Sequence, residues 1–368
     1  MEVNVNNEEL IFDAQQYDRM LMDQIRQSQH EILISCYIVD FDEFSQKVFD
    51  ALLERAKSGI KIQVVVDGLG SWSWINDHAQ RYKHGNLDIR VYHPLTWKLL
   101  GVSLKNFFHG MNRRNHHKLF IFDQKIACNG SRNINDTAMI WRETNILIDG
   151  PSVSTLCALF AIVWQRSHDR WTHRYRDFRK SMQAYKKLKG SEHVLSTHTF
   201  ALRRKNQKIM IGRLKHAKSE IQITTPYFFP TRKVFKVLLK KRKEGVKVSV
   251  LLPRVSDVIV SKWITQYHYK KMLGQGVELY EYTPSILHAK SMLIDDWGLI
   301  GTSNMNRRSV YRDLEIDYIV SQPDTVENLR RKFFEDVKDS LKISSIPRLG
   351  FFKNVIVWIA TKIFSSWF

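Results

Sequence analysis

Residues Phe49 to Asp67 read FDALLERAKSGIKIQVVVD, and residues Phe235 to Pro253 read FKVLLKKRKEGVKVSVLLP. The two stretches align without a gap, at an offset of 186 residues. In each copy, apolar residues at helical spacing run to a glycine that can end the helix, Gly59 or Gly245, and an apolar strand follows. The match predicts that the chain contains two copies of one structural unit.

A further strand precedes each helix, with the sequence EILISC from Glu31 and EIQITT from Glu220. The order strand, helix, strand implies a right-handed crossover onto parallel strands. A chain of 368 residues also exceeds the usual size of one hydrophobic core. We therefore expect an α/β protein of two homologous halves, each a mixed sheet flanked by helices. Such units can also resemble each other by composition alone, so the residues that carry chemistry must decide.

Composition limits the function without choosing it. The chain has 57 Lys and Arg against 37 Asp and Glu, a formal charge of +20 that attracts either nucleic acid or anionic lipid headgroups. Its three cysteines, Cys36, Cys128 and Cys157, lack the C-x-x-C spacing of a zinc site or a disulfide framework, which indicates buried thiols in a reducing compartment. Residues 1–30 lack the order of a secretion signal, so nothing there indicates export.

Each half carries one copy of the pattern H-x-K-x-x-x-x-D. The copies are HHKLFIFD, from His116 to Asp123, and HAKSMLID, from His288 to Asp295. The separation of the histidines, 172 residues, is 14 less than the helix offset, which indicates extra chain within Leu95 to Asn115. A lone copy of this pattern is weak, since either histidine alone would more often be a surface or core residue. Two copies in matching halves predict a shared site.

The residues that follow each pattern also match. Each copy is followed by a glycine turn with an asparagine, GSRN from Gly130 and GTSN from Gly301, and by a glutamate 27 residues after the histidine. Because side chains alternate along a strand, the His and Lys of one copy project from the same face and can meet one phosphate. A neutral imidazole can attack phosphorus, and a protonated one can donate to the leaving oxygen.

We assign the candidate site residues by these roles. The catalytic candidates are His116, Lys118, Asp123, His288, Lys290 and Asp295. The candidate phosphate-binding donors are Asn133 and Asn304, which can stabilise charge on the transition state. The candidates for supporting contacts are Ser131, Glu143, Ser303 and Glu315, of which the carboxylates can orient the imidazoles.

With these motifs the chain resembles the phospholipase D superfamily from about Asp13 to Ser340. The run HAKSMLIDDWGLIGTSNMNRRS in the second half is most similar to bacterial cardiolipin synthases, as are WRETNILIDGP, from Trp141 to Pro151, and the region around Phe49. The resemblance implies two phospholipase D-like halves with the active site at their pseudo-twofold interface. It also implies that the reaction passes through a covalent phosphatidyl-histidine and requires neither a metal nor a cofactor.

By this resemblance His116 is the nucleophile and His288 the acid and base, although the residues themselves leave the two roles exchangeable. Two positions depart from the family pattern. Asp313 stands where the family usually has Asn, and the first turn reads Gly-Ser instead of Gly-Gly. Neither departure removes one of the candidate catalytic groups.

The segments outside the two copies indicate contact with a membrane. We expect a first half at 1–165, a basic linker at 166–200, a second half at 201–345 and an apolar tail at 346–368. The last 19 residues, GFFKNVIVWIATKIFSSWF, contain two lysines and two tryptophans, which favours a helix lying in the bilayer interface over a span of about 20 residues. A tail helix packed on the protein core is the alternative. The run SVSTLCALFAIVW from Ser152 is too short to span and predicts a core helix.

Three functions remain open at this level. The first is a cardiolipin synthase-like phosphatidyltransferase that acts on phospholipids, phosphatidylglycerol above all, at an anionic surface; it would be peripheral, on the cytoplasmic face of a bacterial inner membrane. The second is a phosphodiesterase acting on nucleic acid, which the charge permits and the apolar tail disfavours. The third, a scaffold without catalysis, is disfavoured because both motifs are complete.

Overall fold

The computed structural model describes residues 6–95, 113–167, 192–320 and 322–345, together with 182–183, 185 and 357. Within these residues the chain forms two mixed sheets of similar design, flanked by helices. This architecture confirms the predicted fold of two homologous α/β halves.

The first half is built on seven strands in the order β1-β7-β6-β5-β2-β3-β4. Its strands are β1 Asn7–Ile11, β2 Glu31–Cys36, β3 Lys61–Asp67, β4 Leu87–Tyr92, β5 Lys118–Phe122, β6 Ile126–Gly130 and β7 Asn145–Asp149. Its helices are α1 Ala14–Gln27, α2 Glu43–Lys57, α3 Trp72–Asp77 and α4 Ser152–Arg166. Short 3-10 turns lie at Ala79–Tyr82 and Asp136–Ile140.

The second half is built on eight strands in the order β15-β11-β10-β9-β12-β13-β14-β8. Its strands are β8 Val194–Ser196, β9 Glu220–Thr224, β10 Lys247–Pro253, β11 Glu278–Tyr282, β12 Ser291–Ile294, β13 Trp297–Gly301, β14 Ile316–Val320 and β15 Ser340–Lys342. Its helices are α5 Phe200–His216, α6 Arg232–Lys243, α7 Ile259–Leu273, α8 Arg307–Tyr311 and α9 Pro323–Lys338.

The repeated stretch forms the same unit in both halves. Strand β2 pairs parallel with β3 across α2, and β9 pairs parallel with β10 across α6. Gly59 and Gly245 follow these two helices with φ angles of +94° and +92°, a conformation that glycine adopts without the steric penalty of a side chain. The predicted crossover and both helix ends are therefore confirmed.

Strand pairing brings the motif-bearing loops of each half to one edge of its sheet, which we call the upper edge. In the first half Cys36, at the carboxyl end of β2, pairs with Lys118 at the start of β5. In the second half Thr224, at the carboxyl end of β9, pairs with Ser291 at the start of β12. The carboxyl ends of β3, β6, β10 and β13 lie at these same edges.

The two sheets share a core. Strand β6 packs against β13 and β14. The largest apolar cluster joins Leu156 and Leu159 of α4 to Leu119 of the first sheet and Ile300 and Ile316 of the second. The predicted core helix from Ser152 is thus confirmed, and it helps to fix one half against the other.

The expected linker and tail fall largely outside the described residues. Strand β8 pairs with β14, so the second sheet begins at Val194, inside the segment expected as a linker. Of the tail only Val357 is described, and it is buried beside Ile264 of α7. None of the helices in the described ranges is long and apolar enough to cross a bilayer.

Candidate active site

Two imidazole–carboxylate pairs cross between the halves at the upper edges. The Nδ1 atom of His116 lies 2.9 Å from Oε2 of Glu315 in the other half. The Nδ1 atom of His288 lies 2.7 Å from Oε1 of Glu143. All four side chains are buried or nearly so. The two sequence motifs therefore meet in one place, and each glutamate orients the histidine of the opposite half.

Backbone hydrogen bonds reinforce the crossing. The amide of His116 donates to the carbonyl of Leu314 at 3.0 Å, and the amide of His288 donates to the carbonyl of Arg142 at 2.9 Å. In each case the acceptor is the residue next to the paired glutamate. Because backbone and side chain are held together, the ring of each histidine has little freedom to turn away.

The hydrogen bonds indicate which ring nitrogen carries the proton. Nδ1 of His116 also lies 3.1 Å from the carbonyl oxygen of Thr302, which can only accept, so Nδ1 is the donor. When His116 is neutral, its lone pair is therefore on Nε2. Nδ1 of His288 donates to Glu143 in the same way, which leaves Nε2 of both rings for chemistry.

The two pairs differ in protonation. Burial lowers the pKa of His116 well below its ordinary value, and the charges of Lys118 and Lys290 act in the same direction. Burial also lowers the pKa of His288, but Glu143 opposes that shift. Burial acts to raise the pKa of Glu143, yet the charge of His288 and its hydrogen bond outweigh it and bring this pKa to about 2. His288 therefore faces a firmly ionised carboxylate.

Glu315, the partner of His116, is in the opposite condition. Burial raises the pKa of Glu315 to about 7, although hydrogen bonds from Ser309 and Thr302 act to lower it. This carboxyl group thus titrates near neutral pH. The site therefore combines a neutral imidazole, His116, with a second imidazole, His288, whose protonation the ionised Glu143 favours.

The two lysines of the motifs lie beside the histidines. Nζ of Lys118 donates to the carbonyl of His116 at 3.1 Å, and Nζ of Lys290 donates to the carbonyl of His288 at 2.5 Å. Burial lowers the pKa of Lys118 to about 8 and that of Lys290 to about 7. A bound phosphate anion would restore the charge of both ammonium groups, because an opposite charge favours the ionised form.

The glycine turns supply the neighbouring polar groups. Asn133 and Asn304 are buried at the upper edges, where the amide oxygen of Asn133 accepts from the backbone of Ile38 at 3.3 Å. The hydroxyl of Ser131 donates to the carbonyl of Thr144, next to Glu143. The same position in the second turn is Thr302, whose hydroxyl donates to Glu315 at 2.5 Å.

Ser303, which the sequence grouped with Ser131, has a different contact. Its backbone amide and its hydroxyl both donate to Asp317, at 3.0 and 2.6 Å. Thr302 was not predicted from the sequence, although it directly follows Gly301 as Ser131 directly follows Gly130. The hydroxyls of Thr302 and Ser303 thus hold the segment from Glu315 to Asp317 against the second glycine turn.

Asp123 and Asp295 are not brought to the histidines. Each directly follows the far end of β5 or β12, five residues beyond the motif lysine, which corresponds to roughly 16 Å along an extended strand. Asp123 accepts from three successive backbone amides at 2.7 to 3.0 Å, those of Gln29, His30 and Glu31. Asp295 accepts in the same way from the amides of residues 218–220 and from the hydroxyl of Ser219. These contacts tie the strand that carries each motif to the start of β2 or β9.

Two aromatic rings beside the histidines were also not predicted from the sequence. The ring centroid of Tyr37 lies 4.9 Å from that of His116, and the centroid of Trp141 lies 5.1 Å from that of His288. Neither position repeats between the halves, so no internal alignment could have found them. They form apolar walls around the two imidazoles.

Asp313, the departure from the family pattern, belongs to a buried ion pair. Its Oδ2 atom accepts from Nε of Arg308 at 2.7 Å, and its Oδ1 atom accepts from the amide of Arg114 at 3.2 Å. Burial raises the pKa of Asp313 to about 7, although Arg308 opposes that rise. The carboxylate thus holds Arg308 next to the segment that hydrogen-bonds His116.

Comparison with known proteins agrees with this arrangement. A family model described as cardiolipin synthase, PLD-like domain, matches residues 21–164 and 210–337. The chain is 29% identical to cardiolipin synthase 1 of Bacillus cereus over 349 residues, which cover 91% of this chain and 67% of that protein. It is 28% identical to a cardiolipin synthase of Clostridium perfringens over 356 residues, 92% of this chain and 72% of that protein.

A solved structure shares the fold. The crystal structure of phosphatidylserine synthase from Haemophilus influenzae superposes with a TM-score of 0.71 over 98% of this chain and 93% of that one. The sequences are 12% identical, so this likeness concerns the fold alone.

Replacing Asp295 tests the structural part of the motif. We expect Asp295→Ala to lower the free energy of unfolding by about 1 to 2 kcal/mol, since three amides lose their acceptor. Burial acts to raise the pKa of Asp295, but the hydrogen bonds of Ser219 and its neighbours lower it to about 2. This stabilisation is therefore present above the ordinary carboxyl pKa of about 4 and is lost as the pH falls towards 2.

Urea unfolding of the parent and variant at several pH values measures this difference. Asp296→Ala is the matched control, because Asp296 occupies the same turn with a fully exposed side chain. The control should stay within about 0.5 kcal/mol of the parent. Equal effects of the two substitutions, or a loss in Asp295→Ala that does not shrink in acid, would contradict the assignment.

Proposed function

The chain belongs to the phospholipase D-like family of cardiolipin synthases, as its doubled motif predicted, and we propose that it transfers a phosphatidyl group to a hydroxyl of phosphatidylglycerol. The reaction forms cardiolipin and releases glycerol. The observation that carries the proposal is the pair of crossed histidines, each oriented by a glutamate and accompanied by a lysine. The cardiolipin synthase relatives support the choice of substrate.

In the first step His116 attacks the phosphorus of the donor lipid through Nε2. A phosphorus–nitrogen bond forms as the bond from phosphorus to the glycerol oxygen breaks. His288 donates its Nε2 proton to that oxygen. The lower pKa of His116 and the ionised partner of His288 favour this assignment, since a nucleophile must be neutral and an acid must hold a proton.

In the second step the neutral His288 removes the proton from a hydroxyl of phosphatidylglycerol. The hydroxyl oxygen attacks phosphorus, the phosphorus–nitrogen bond breaks, and His116 returns to its neutral form. While phosphorylated, the ring of His116 keeps its Nδ1 proton and carries a positive charge, which Glu315 stabilises when ionised. His288 thus gives one proton to the leaving alcohol in the first step and takes another from the acceptor hydroxyl in the second.

Four donors from both halves are assigned to the oxygens of the transferred group. They are Lys118, Lys290, Asn133 and Asn304. Preorganised donors in a buried site stabilise developing charge more strongly than water does, because they need not reorient during the reaction.

The enzyme works at the surface of a bilayer, which we propose is the cytoplasmic face of a bacterial inner membrane. The formal charge of +20 attracts anionic headgroups. Residues 350–368, of which only Val357 is described, are largely apolar in sequence with two lysines and two tryptophans, a composition suited to the bilayer interface.

Incubation of the purified protein with phosphatidylglycerol vesicles tests the function. We expect cardiolipin and free glycerol in equal amounts, identified by lipid mass spectrometry. His116→Ala should lower the rate by at least about a thousandfold, because no nucleophile remains. If the folded protein yields no cardiolipin or other product of headgroup exchange, the lipid function is wrong. Degradation of DNA or RNA that is lost in His116→Ala would then favour the phosphodiesterase.

A substrate with a good leaving group separates the roles of the two histidines. Nitrophenolate departs without a proton, so His288→Ala should release a burst of one nitrophenol per site from a nitrophenyl ester of phosphatidic acid and retain the phosphatidyl label on the protein. His116→Ala should show neither burst nor label. Rapid quenching and intact-protein mass spectrometry measure both. Label retained by His116→Ala instead would exchange the two roles.

A further inference from the structure

Large apolar and aromatic side chains are exposed mainly at the upper edges. The described residues include thirteen such side chains, and ten lie in loops or terminal helical turns at these edges. Scattered exposed apolar residues are common on soluble proteins, but their concentration at the one side of the protein that carries a site is unusual. We call these ten residues the apolar rim.

Five residues of the apolar rim come from the first half, in the segments that follow β2, β3 and β6. They are Phe41, Leu69, Trp72, Met139 and Ile140. Ile140 is 75% exposed and Trp72 is 54% exposed, so burial in the described protein does not explain either residue.

The other five come from the second half, in the segments that follow β8, β10 and β13. They are Phe200, Val255, Val258, Ile259 and Tyr311. Val255 is 60% exposed and Ile259 is 64% exposed. The segments after β3 and β10 match between the two halves, as do those after β6 and β13, and both pairs present apolar side chains on the side that carries the histidines.

At Val258 and the neighbouring Asp257, the rim extends to the candidate active site. Asp257, between two rim residues, accepts a hydrogen bond from the hydroxyl of Tyr227 at 2.5 Å, and its charge acts on both His288 and Lys290. Val258 of the rim and Arg308 line one groove together with Tyr227, Phe229 and Ile264. Arg308 in turn pairs with Asp313 beside the segment that binds His116.

We propose that the apolar rim is the surface that contacts a phospholipid bilayer, with its side chains inserted among the acyl chains and the histidines facing the headgroups. The inference rests on the proposed function, because a phosphodiester in a bilayer lies at headgroup depth and cannot reach a buried site that faces water. The formal charge of +20 on the whole chain favours an anionic membrane surface as the partner. A second copy of the chain would leave both active sites covered.

A fluorescent probe that responds to polarity tests this orientation in the full-length protein. The probe, a nitrobenzoxadiazole, is attached to Trp72→Cys, Ile140→Cys or Ile259→Cys, with the labelled parent as background for its three buried or half-buried cysteines. Phe334→Cys is the control, because Phe334 is also exposed but lies against Lys247 at the amino end of β10, away from the upper edge.

With vesicles of phosphatidylglycerol and phosphatidylcholine, the emission of the rim probes should shift to the blue and increase about twofold, as expected for transfer into a less polar medium. The emission of the probe at position 334 should stay unchanged. If the protein binds the vesicles but the emission of the rim probes does not change, the proposal is wrong. A shift that appears without vesicles when the protein concentration is raised would also contradict it, because it would show a contact between two copies of the chain. Because the readout does not depend on turnover, it separates this inference from the failure of the proposed reaction.

Activity on two forms of the substrate gives a second measurement. Val255→Ser combined with Ile259→Ser should reduce turnover of vesicle-borne phosphatidylglycerol by about tenfold or more, since two apolar side chains no longer enter the bilayer. Turnover of a short-chain phosphatidylglycerol below its micelle concentration should stay within about twofold, as should both rates for Phe334→Ser. Equal losses on both substrates would show that the rim acts on the site instead of on the bilayer.

Discussion

The site depends on the two hydrogen bonds that join an imidazole in one half to a carboxylate in the other. His116 and Glu143 come from the first half, and His288 and Glu315 from the second, so neither half alone can orient its own histidine. The shared core around α4 and the contacts of β6 with β13 and β14 hold the two sheets in the position that these bonds require. The duplication is thus a functional constraint as well as a structural one.

Symmetric residues produce an asymmetric site. Both glutamates are buried at equivalent positions, yet Glu143 stays ionised while the pKa of Glu315 rises to about 7. The difference arises in the surroundings, where His288 and Lys290 act on Glu143 and burial dominates at Glu315. A pair of imidazoles with unlike partners suits a reaction in which one ring must be neutral and the other must exchange a proton.

Much of the fold and of the site could be predicted from the sequence, because the repeat and the doubled motif are local patterns of fixed spacing. The crossover units, the glycine ends of α2 and α6 and the meeting of the motifs all follow from such patterns. The positions of Asp123 and Asp295 could not be predicted in this way. Each motif extends over the whole length of one strand, and only the end with the lysine reaches the site. Tyr37 and Trp141 depend on tertiary contacts that no spacing records, and the three residues of β8 are too few to show a strand pattern.

The stereochemical course at phosphorus tests the central claim most directly. Two successive in-line displacements on one phosphorus atom, first by His116 and then by the acceptor hydroxyl, each invert its configuration. Transfer from a phosphatidylglycerol whose phosphorus is chiral through a single sulfur substitution should therefore give a product with net retention. Net inversion would show direct attack by the acceptor and would contradict a covalent intermediate between the two histidines.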